Sequence, residues 1–214
     1  MGRRVGAPAR APLARPGAAR RRGTRGAPLT AVDDLGRRLL ETAFLEGDFT
    51  LRSGKRSSWY LDKYRFETDP SILRELGERL GAAVVAAEPD AVRLAAPALG
   101  AVALAASGAM ASGLPFIIVR GETKGYGTGN RIEGPYEPGE LVCLVEDVVT
   151  SGGALCEAVE AVREAGLVVR HAVCVVDREE GGADALARVG VRLDPLYRAG
   201  DLLSSWERVA NPHG

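Results

Sequence analysis

Apolar residues follow two alternating spacings along this chain, and together they predict an α/β protein. From about residue 69 onwards, short continuous apolar runs alternate with stretches in which apolar residues recur every three or four positions. The first spacing is typical of strands buried on both faces, and the second of helices with one face on a sheet. Alternation of strand and helix makes the strands parallel. The sequence therefore predicts a central, mostly parallel sheet flanked by helices.

The predicted core spans about residues 67–214. Asp69 and Pro70 open its first helix, with a capping carboxylate and a proline suited to the first turn. The predicted helices are 70–87, 101–112, 154–165, 183–189 and 199–209. The predicted strands are 91–96, 114–119, 141–145, 167–176 and 191–196.

A smaller unit, which we call the hood, is predicted over about residues 29–66, within one domain of residues 29–214. The run 30–45 has an N-cap residue, acids in its first turn and helical apolar spacing, which predicts a helix of about four turns. Residues 47–62 contain two short β-type runs around a polar Ser-Gly turn, which predicts a hairpin.

The apolar run 141–145 ends in two adjacent carboxylates, Glu146 and Asp147, and a small-residue turn over 150–154 follows before a helix. Backbone N–H groups at a helix N-terminus lack partners, and the helix dipole favours an anion there. This turn is not a Walker A loop, because no Gly-Lys-Ser/Thr follows. Carboxylates beside a phosphate cradle suit a sugar phosphate, whose hydroxyls they accept from, with Mg²⁺ nearby.

Residues 120–139 break the α/β pattern with six glycines and two prolines. A Gly-x-Gly repeat after a strand suggests a dinucleotide fingerprint, but the required helix does not follow. Connections of this length in compact domains are usually functional or disordered. Because Arg120, Lys124 and Arg131 lie on it, we expect a mobile lid over a polyanion.

Charge is distributed unevenly in this 214-residue chain of zero formal net charge. Residues 1–28 contain eight arginines and no acid, so the remainder carries a formal charge of about −8. We expect this Arg-, Pro-, Gly- and Ala-rich leader to be disordered. It is open whether the leader reflects a start codon placed too far upstream, a polyanion tether or a transit-type peptide. The acidic remainder argues against nucleic-acid binding by the folded domain.

Cysteine and histidine usage excludes the common metal sites. Cys143, Cys156 and Cys174 lie far apart among apolar residues, which predicts buried free thiols in a reducing cytoplasm. The two histidines, His171 and His213, are too distant in sequence to suggest a cluster. No apolar run reaches the roughly 18 residues of a membrane span.

Four stretches between about residues 30 and 206 resemble orotate phosphoribosyltransferases, which are type I phosphoribosyltransferases. The run from Leu141 to Leu155 resembles the signature for phosphoribosyl pyrophosphate (PRPP). The hood run 49–62, the glycine-rich lid and the pair Asp177-Arg178 are similar to the orotate enzymes. The resemblance implies the type I fold with a small N-terminal hood. It also implies transfer of a phosphoribosyl group from PRPP to orotate, giving orotidine 5′-monophosphate and pyrophosphate, with Mg²⁺ bound mainly through PRPP.

The resemblance also implies residue roles. The PRPP-binding residues would be Arg120, Lys124, Tyr126, Glu146, Asp147, Val148, Val149, Thr150, Ser151, Gly152, Gly153 and Ala154. The orotate-binding residues would be Arg52, Tyr60, Leu61, Thr150 and Arg178. The catalytic residues would be Lys124, Arg120 and Asp147, acting on the departing pyrophosphate and on the ribose. A cytoplasmic homodimer is implied, in which each lid reaches the neighbouring site.

Three positions depart from the family pattern. Gly121 stands where a second basic residue is frequent, and Ala98 and Leu99 stand where the pyrophosphate loop usually carries an acid or a lysine. These departures predict a slow enzyme or a changed acceptor. Two alternatives to the orotate enzyme therefore stay open: a phosphoribosyltransferase for another base, and a non-catalytic PRPP-binding regulator.

Overall fold

A computed structural model of the chain describes residues 32–50, 54, 56–121 and 131–210, with only the backbone of 207–210. Its helices are α1 (Asp34–Ala43), α2 (Lys63–Glu67), α3 (Pro70–Ala87), α4 (Ala101–Ser112), α5 (Gly153–Glu164), α6 (Gly182–Arg188) and α7 (Ala199–Ala210). Its strands are β1 (Phe44–Thr50), β2 (Arg56–Leu61), β3 (Arg93–Pro97), β4 (Phe116–Val119), β5 (Ile132–Glu133), β6 (Leu141–Val149), β7 (Val168–Asp177) and β8 (Arg192–Arg198).

Six strands form the central sheet in the order β5-β4-β3-β6-β7-β8. All its neighbouring pairs are parallel except β4–β5, which is antiparallel. The predicted parallel sheet is thus confirmed. From β3 the chain crosses through α4 to β4 on one side, and from β6 it crosses through α5 to β7 on the other. The crevice between the carboxyl ends of β3 and β6 is therefore the topological switch point, where open α/β sheets bind ligands.

Each face of the sheet carries its own apolar core, and β6 contributes to both. Cys143 and Val145 face the cluster that includes side chains of α1, α3 and α4. Val142 and Leu144 face the cluster that includes side chains of α5 and α6. This alternation explains why the apolar run 141–145 is continuous: both faces of the strand are buried.

The hood contains α1, the antiparallel hairpin β1–β2 and α2, and its first helix differs from the prediction. The helix has ten residues, begins after Asp33 rather than Thr30, and ends at Ala43. The Asp33 carboxylate accepts from the Gly36 N–H at 3.0 Å and from the Tyr197 hydroxyl at 2.8 Å. The same carboxylate thus caps α1 and ties it to β8.

The remaining differences between the predicted and the observed structure are confined to short segments and single residues. The prediction did not include α2, nor β5 inside the predicted lid, which pairs with the end of β4. Cys143 and Cys174 are buried free thiols as predicted, but Cys156 is partly exposed. The described helices include none that is both long and apolar enough to cross a bilayer. The expected disorder of residues 1–28 lies outside the described residues.

Candidate active site

The turn between β6 and α5 forms an open cleft of about 680 Å³, lined by Val148 to Leu155 together with Glu146 and Glu157. Gly152 has φ +80°, a left-handed conformation that suits glycine, and it begins α5 without any side-chain cap. The first intrahelical bond is donated by Cys156 N to Gly152 O at 2.9 Å. The N–H groups of the preceding helical residues are thus the unpaired donors expected at a helix start. They are suited to bind a phosphate, and we call this turn, residues 150–154, the phosphate cradle.

Two glycines pack this turn against the start of α6. A Cβ on Gly152 would lie 3.0 Å from Gly182 Cα, and a Cβ on Gly182 would lie 2.7 Å from the Thr150 carbonyl oxygen and overlap the Val149 side chain. Neither position accepts a larger residue without moving the cradle. Gly182 supports the cradle from another element, and the sequence prediction did not assign it this role.

The two carboxylates at the end of β6 are buried. Glu146 Oε1 accepts from the Asp147 N–H at 3.0 Å, and Asp147 Oδ1 accepts from the Val148 N–H at 2.5 Å. Burial, followed by the negative charge of Asp147, raises the pKa of Glu146 well above its usual range. Glu146 lines this cleft, and both carboxyl groups retain an oxygen outside these two bonds that can accept a further hydrogen bond.

Helix α2 adds two charged residues that the sequence prediction did not include in the site. Lys63 Nζ donates to Asp147 Oδ2 at 2.6 Å. Glu67 is buried beside them, and its Oε1 has no hydrogen-bond partner among the residues described. Burial and the charge of Asp147 raise the pKa of Glu67 to about 8. The sequence shows only a short run with four charged residues, 62–67, after the hairpin, and only the fold brings α2 to β6.

Burial lowers the pKa of Lys63, but the carboxylates of Asp147, Glu146 and Glu67 outweigh this effect and raise it above the usual value. Lys63 is therefore protonated at neutral pH. One ammonium thus faces three carboxyl groups, two of which have raised pKa values. Because the raised pKa values favour the protonated forms of Glu67 and Glu146, the cluster carries less negative charge than three ionised carboxylates would.

Arg178 follows β7 at the same edge of the sheet, and its side chain is buried. Its guanidinium lies 3.8 Å from the Trp59 ring centroid, a cation–π contact, and its Nε lies 2.9 Å from Glu180 Oε1. Its backbone N–H donates to Val149 O at 2.8 Å. Arg178 and Glu180 thus form an ion pair at the end of β7. Trp59 of the hood thus packs directly against the guanidinium.

A second cleft, with about 1340 Å³ of open space, connects the hood to the switch point. The predicted site residues that line it are Tyr60, Leu61, Glu146, Asp147, Val148, Thr150, Ala154 and Arg178. Lys63 and the loop 97–100 complete much of its wall. The structure therefore brings these eight of the predicted residues to one crevice.

Arg120 lies apart from these groups. It follows β4, its N–H donates to Arg131 O at 2.8 Å, and its guanidinium lies 3.4 Å from Glu133. It lines neither cleft. Arg52, Lys124 and Tyr126 lie outside the described residues, so their predicted roles are untested.

A scan against models of protein families finds no match. The orotate phosphoribosyltransferase of Methanocella arvoryzae is 47% identical over 157 residues, which cover 73% of this chain and 88% of that protein. The one from Halobacterium salinarum is 44% identical over 182 residues, which cover 83% and 99%.

Solved structures agree with these relatives. The orotate phosphoribosyltransferase of Aeropyrum pernix superposes with a TM-score of 0.72 at 31% identity, covering 81% of this chain and 99% of that one. The Mycobacterium tuberculosis enzyme in complex with PRPP superposes with a TM-score of 0.65 at 29% identity, covering 79% and 96%. The predicted type I phosphoribosyltransferase fold is confirmed. Because identity above 40% extends over nearly the full length of these relatives, this chain belongs to the orotate phosphoribosyltransferase family.

Proposed function

We propose that this protein transfers the phosphoribosyl group of PRPP to orotate, releasing orotidine 5′-monophosphate and pyrophosphate. One observation supports this above all others: a phosphate cradle, a carboxylate pair and a buried arginine meet at the switch point between β3 and β6. The cradle and the carboxylates suit a ribose phosphate, and the arginine suits a planar carboxylate. The relatives in the family carry the same activity in their names.

The donor half of the site would bind PRPP by its phosphate and its hydroxyls. Backbone N–H groups at the start of α5 would hold the 5′-phosphate, helped by the hydroxyls of Thr150 and Ser151. Glu146 and Asp147 would accept from the ribose 2′- and 3′-hydroxyls. This arrangement anchors the ring on two sides, so the carbon that reacts has a fixed position.

The acceptor half lies between the hood and the end of β7. Arg178 would pair with the orotate carboxylate through its guanidinium fork, against which Trp59 packs. Tyr60, Leu61 and Thr150 line the same cleft and would bracket the ring, with Arg52 expected to close it. A purine lacks the carboxylate that this buried cation selects.

The reaction needs no nucleophilic side chain, because the base itself attacks the ribose carbon as pyrophosphate departs. The protein would stabilise the leaving charge and exclude water. We propose that Arg120 and Lys124 are the cations that neutralise the departing pyrophosphate. Tyr126 would donate a hydrogen bond to the same group, and Asp147 would anchor the ribose.

Magnesium is proposed as the cofactor, held mainly by PRPP itself. The described residues contain no group of three side chains able to hold a metal ion. Mg²⁺ often binds through substrate phosphates with few protein ligands, so this donor set fits such a complex. When bound, the ion would neutralise diphosphate charge.

We further propose a homodimer in which each lid reaches into its neighbour's site. Leu99 and Met110, whose large apolar side chains are 74% and 82% exposed, are residues that a dimer interface could cover. Mixing a Lys124→Ala variant with an Asp147→Ala variant should restore activity if the lid acts across the interface. Two inactive parents that stay inactive after subunit exchange would contradict the crossed arrangement.

The decisive experiment incubates the full chain with orotate, PRPP and Mg²⁺ and follows the loss of orotate absorbance. We expect orotate consumption, with pyrophosphate released in equal amount. Adenine, guanine and hypoxanthine serve as competing acceptors. Binding of PRPP without loss of orotate would overturn the proposal, and turnover confined to a purine would assign the chain to another base.

A further inference from the structure

We propose that Lys63 supplies the cation for the pyrophosphate group of PRPP that the loop after β3 lacks. This inference rests on the proposed function and adds a residue to it. The loop 97–100 borders the cleft, yet it offers only apolar side chains at Ala98 and Leu99. A diphosphate bound there needs positive charge from another element.

Lys63 lies directly against this loop. A Cβ built on Gly100 would overlap both Lys63 Nζ and Asp147 Oδ2. The ammonium and the carboxylate that would hold the ribose therefore lie side by side against the loop, with 2.6 Å between Lys63 Nζ and Asp147 Oδ2. Lys63 Nζ would thus be adjacent to both parts of PRPP that the reaction separates, the ribose and the diphosphate.

The cleft contains few other cations. Among the described residues that line it, the positively charged ones are Lys63 and Arg178. Arg178 is stacked on Trp59 and paired with Glu180 beyond the end of β7, on the opposite side of β6 from β3. Lys63 is therefore the described cation beside the diphosphate end of the crevice.

Lys63 also retains donors for a ligand. An ammonium has three N–H donors, and the described hydrogen bonds use one of them, to Asp147. The side chain is 29% exposed, so solvent and ligands reach it. The carboxylates around it keep it protonated. It can therefore hold Asp147 and a diphosphate oxygen at the same time.

The position of Lys63 in α2 also supports a role in ligand binding. Lys63 is the first residue of α2, where a positive charge is unfavourable for the helix dipole. Helix stability thus does not explain a lysine at this place. The competing explanation is that Lys63 only neutralises the carboxylates of the cluster, and the test must separate these two roles.

The test is calorimetric titration of the full chain, with Mg²⁺ present, using three probes: PRPP, inorganic pyrophosphate and ribose 5-phosphate. Lys63→Met removes the cation, and Lys63→Gln removes the charge while keeping an N–H donor for Asp147. Arg65→Met is the matched control, since Arg65 is on the same helix, 51% exposed and outside both clefts.

We expect both Lys63 variants to bind PRPP and pyrophosphate about tenfold to a hundredfold more weakly, as for a lost charge-assisted hydrogen bond. Ribose 5-phosphate, which lacks the diphosphate, should change less than threefold in Lys63→Gln. Lys63→Arg should recover part of the pyrophosphate affinity. Arg65→Met should match the wild-type protein with all three probes.

Unchanged pyrophosphate affinity in Lys63→Gln would overturn the inference. So would an equal loss for ribose 5-phosphate and PRPP, because Lys63 would then act only through Asp147. If Lys63→Met does not fold, Lys63→Gln and Lys63→Arg decide the question by the same criteria. None of these titrations contains orotate, so their outcome is independent of whether orotate is the acceptor.

Discussion

Replacement of Arg178 by alanine should impair orotate use far more than PRPP use. The guanidinium is buried, lies 3.8 Å from the Trp59 ring centroid and has Glu180 Oε1 at 2.9 Å from its Nε. A hydrogen bond to a charged partner contributes roughly 1.5–3 kcal/mol. The orotate KM should therefore rise by about ten- to a hundredfold, since 1.4 kcal/mol corresponds to about a factor of ten.

A lysine at this position should restore little of the loss. It keeps the charge but lacks the planar fork that pairs with a carboxylate and stacks on an indole. Arg178→Lys thus separates charge from geometry. We expect its orotate KM to stay several-fold above the wild-type value, while its thermal stability exceeds that of Arg178→Ala.

The assay is steady-state kinetics with orotate varied at saturating PRPP, and then with PRPP varied at saturating orotate. Arg192→Ala is the matched control, because Arg192 also adjoins the sheet edge near β7 but its side chain is 72% exposed and pairs with Asp194. It should leave both KM values unchanged. Equal increases in the two KM values for Arg178→Ala would refute the assignment of Arg178 to orotate.

Three further predictions concern stability and the phosphate cradle. Glu67 has a folded-state pKa raised to about 8, so the stability present below its unfolded pKa is lost as pH rises through about 8. Urea unfolding should therefore favour Glu67→Gln over the wild-type protein by up to about 1.4 kcal/mol more per pH unit as the pH rises from the unfolded pKa of 4.5 to about 8, and the difference should stay constant above that; parallel curves within this window would contradict the prediction. Gly182→Ala places a carbon 2.7 Å from the Thr150 carbonyl, so calorimetry should show at least tenfold weaker ribose 5-phosphate binding. Gly121→Ala, which has open space, should bind normally. Asp33→Ala removes the cap of α1 and should lower the free energy of unfolding by about 1–2 kcal/mol, whereas the neighbouring exposed Asp34→Ala should cost less than half of that.

The sequence determined the parallel sheet and the phosphate cradle because both depend on short-range pattern. The continuous apolar run 141–145 requires burial on both faces, and the small-residue turn after it requires a close backbone approach. Helices α3 and α4 match their predicted bounds, since Asp69-Pro70 and Gly113 mark helix ends locally. Such signals act within a few residues and are visible without the fold.

Only the tertiary structure decided which residues surround the ligand crevice. Lys63 and Glu67 reach Asp147 across 84 and 80 positions of sequence, and no local spacing records these contacts. Gly182 supports the cradle because α6 begins beside it, and Asp33, the local cap of α1, also accepts a hydrogen bond from Tyr197 of β8. These contacts depend on which helices and strands become neighbours in the folded sheet. Long-range packing sets this arrangement, so the pattern of a single stretch does not contain it.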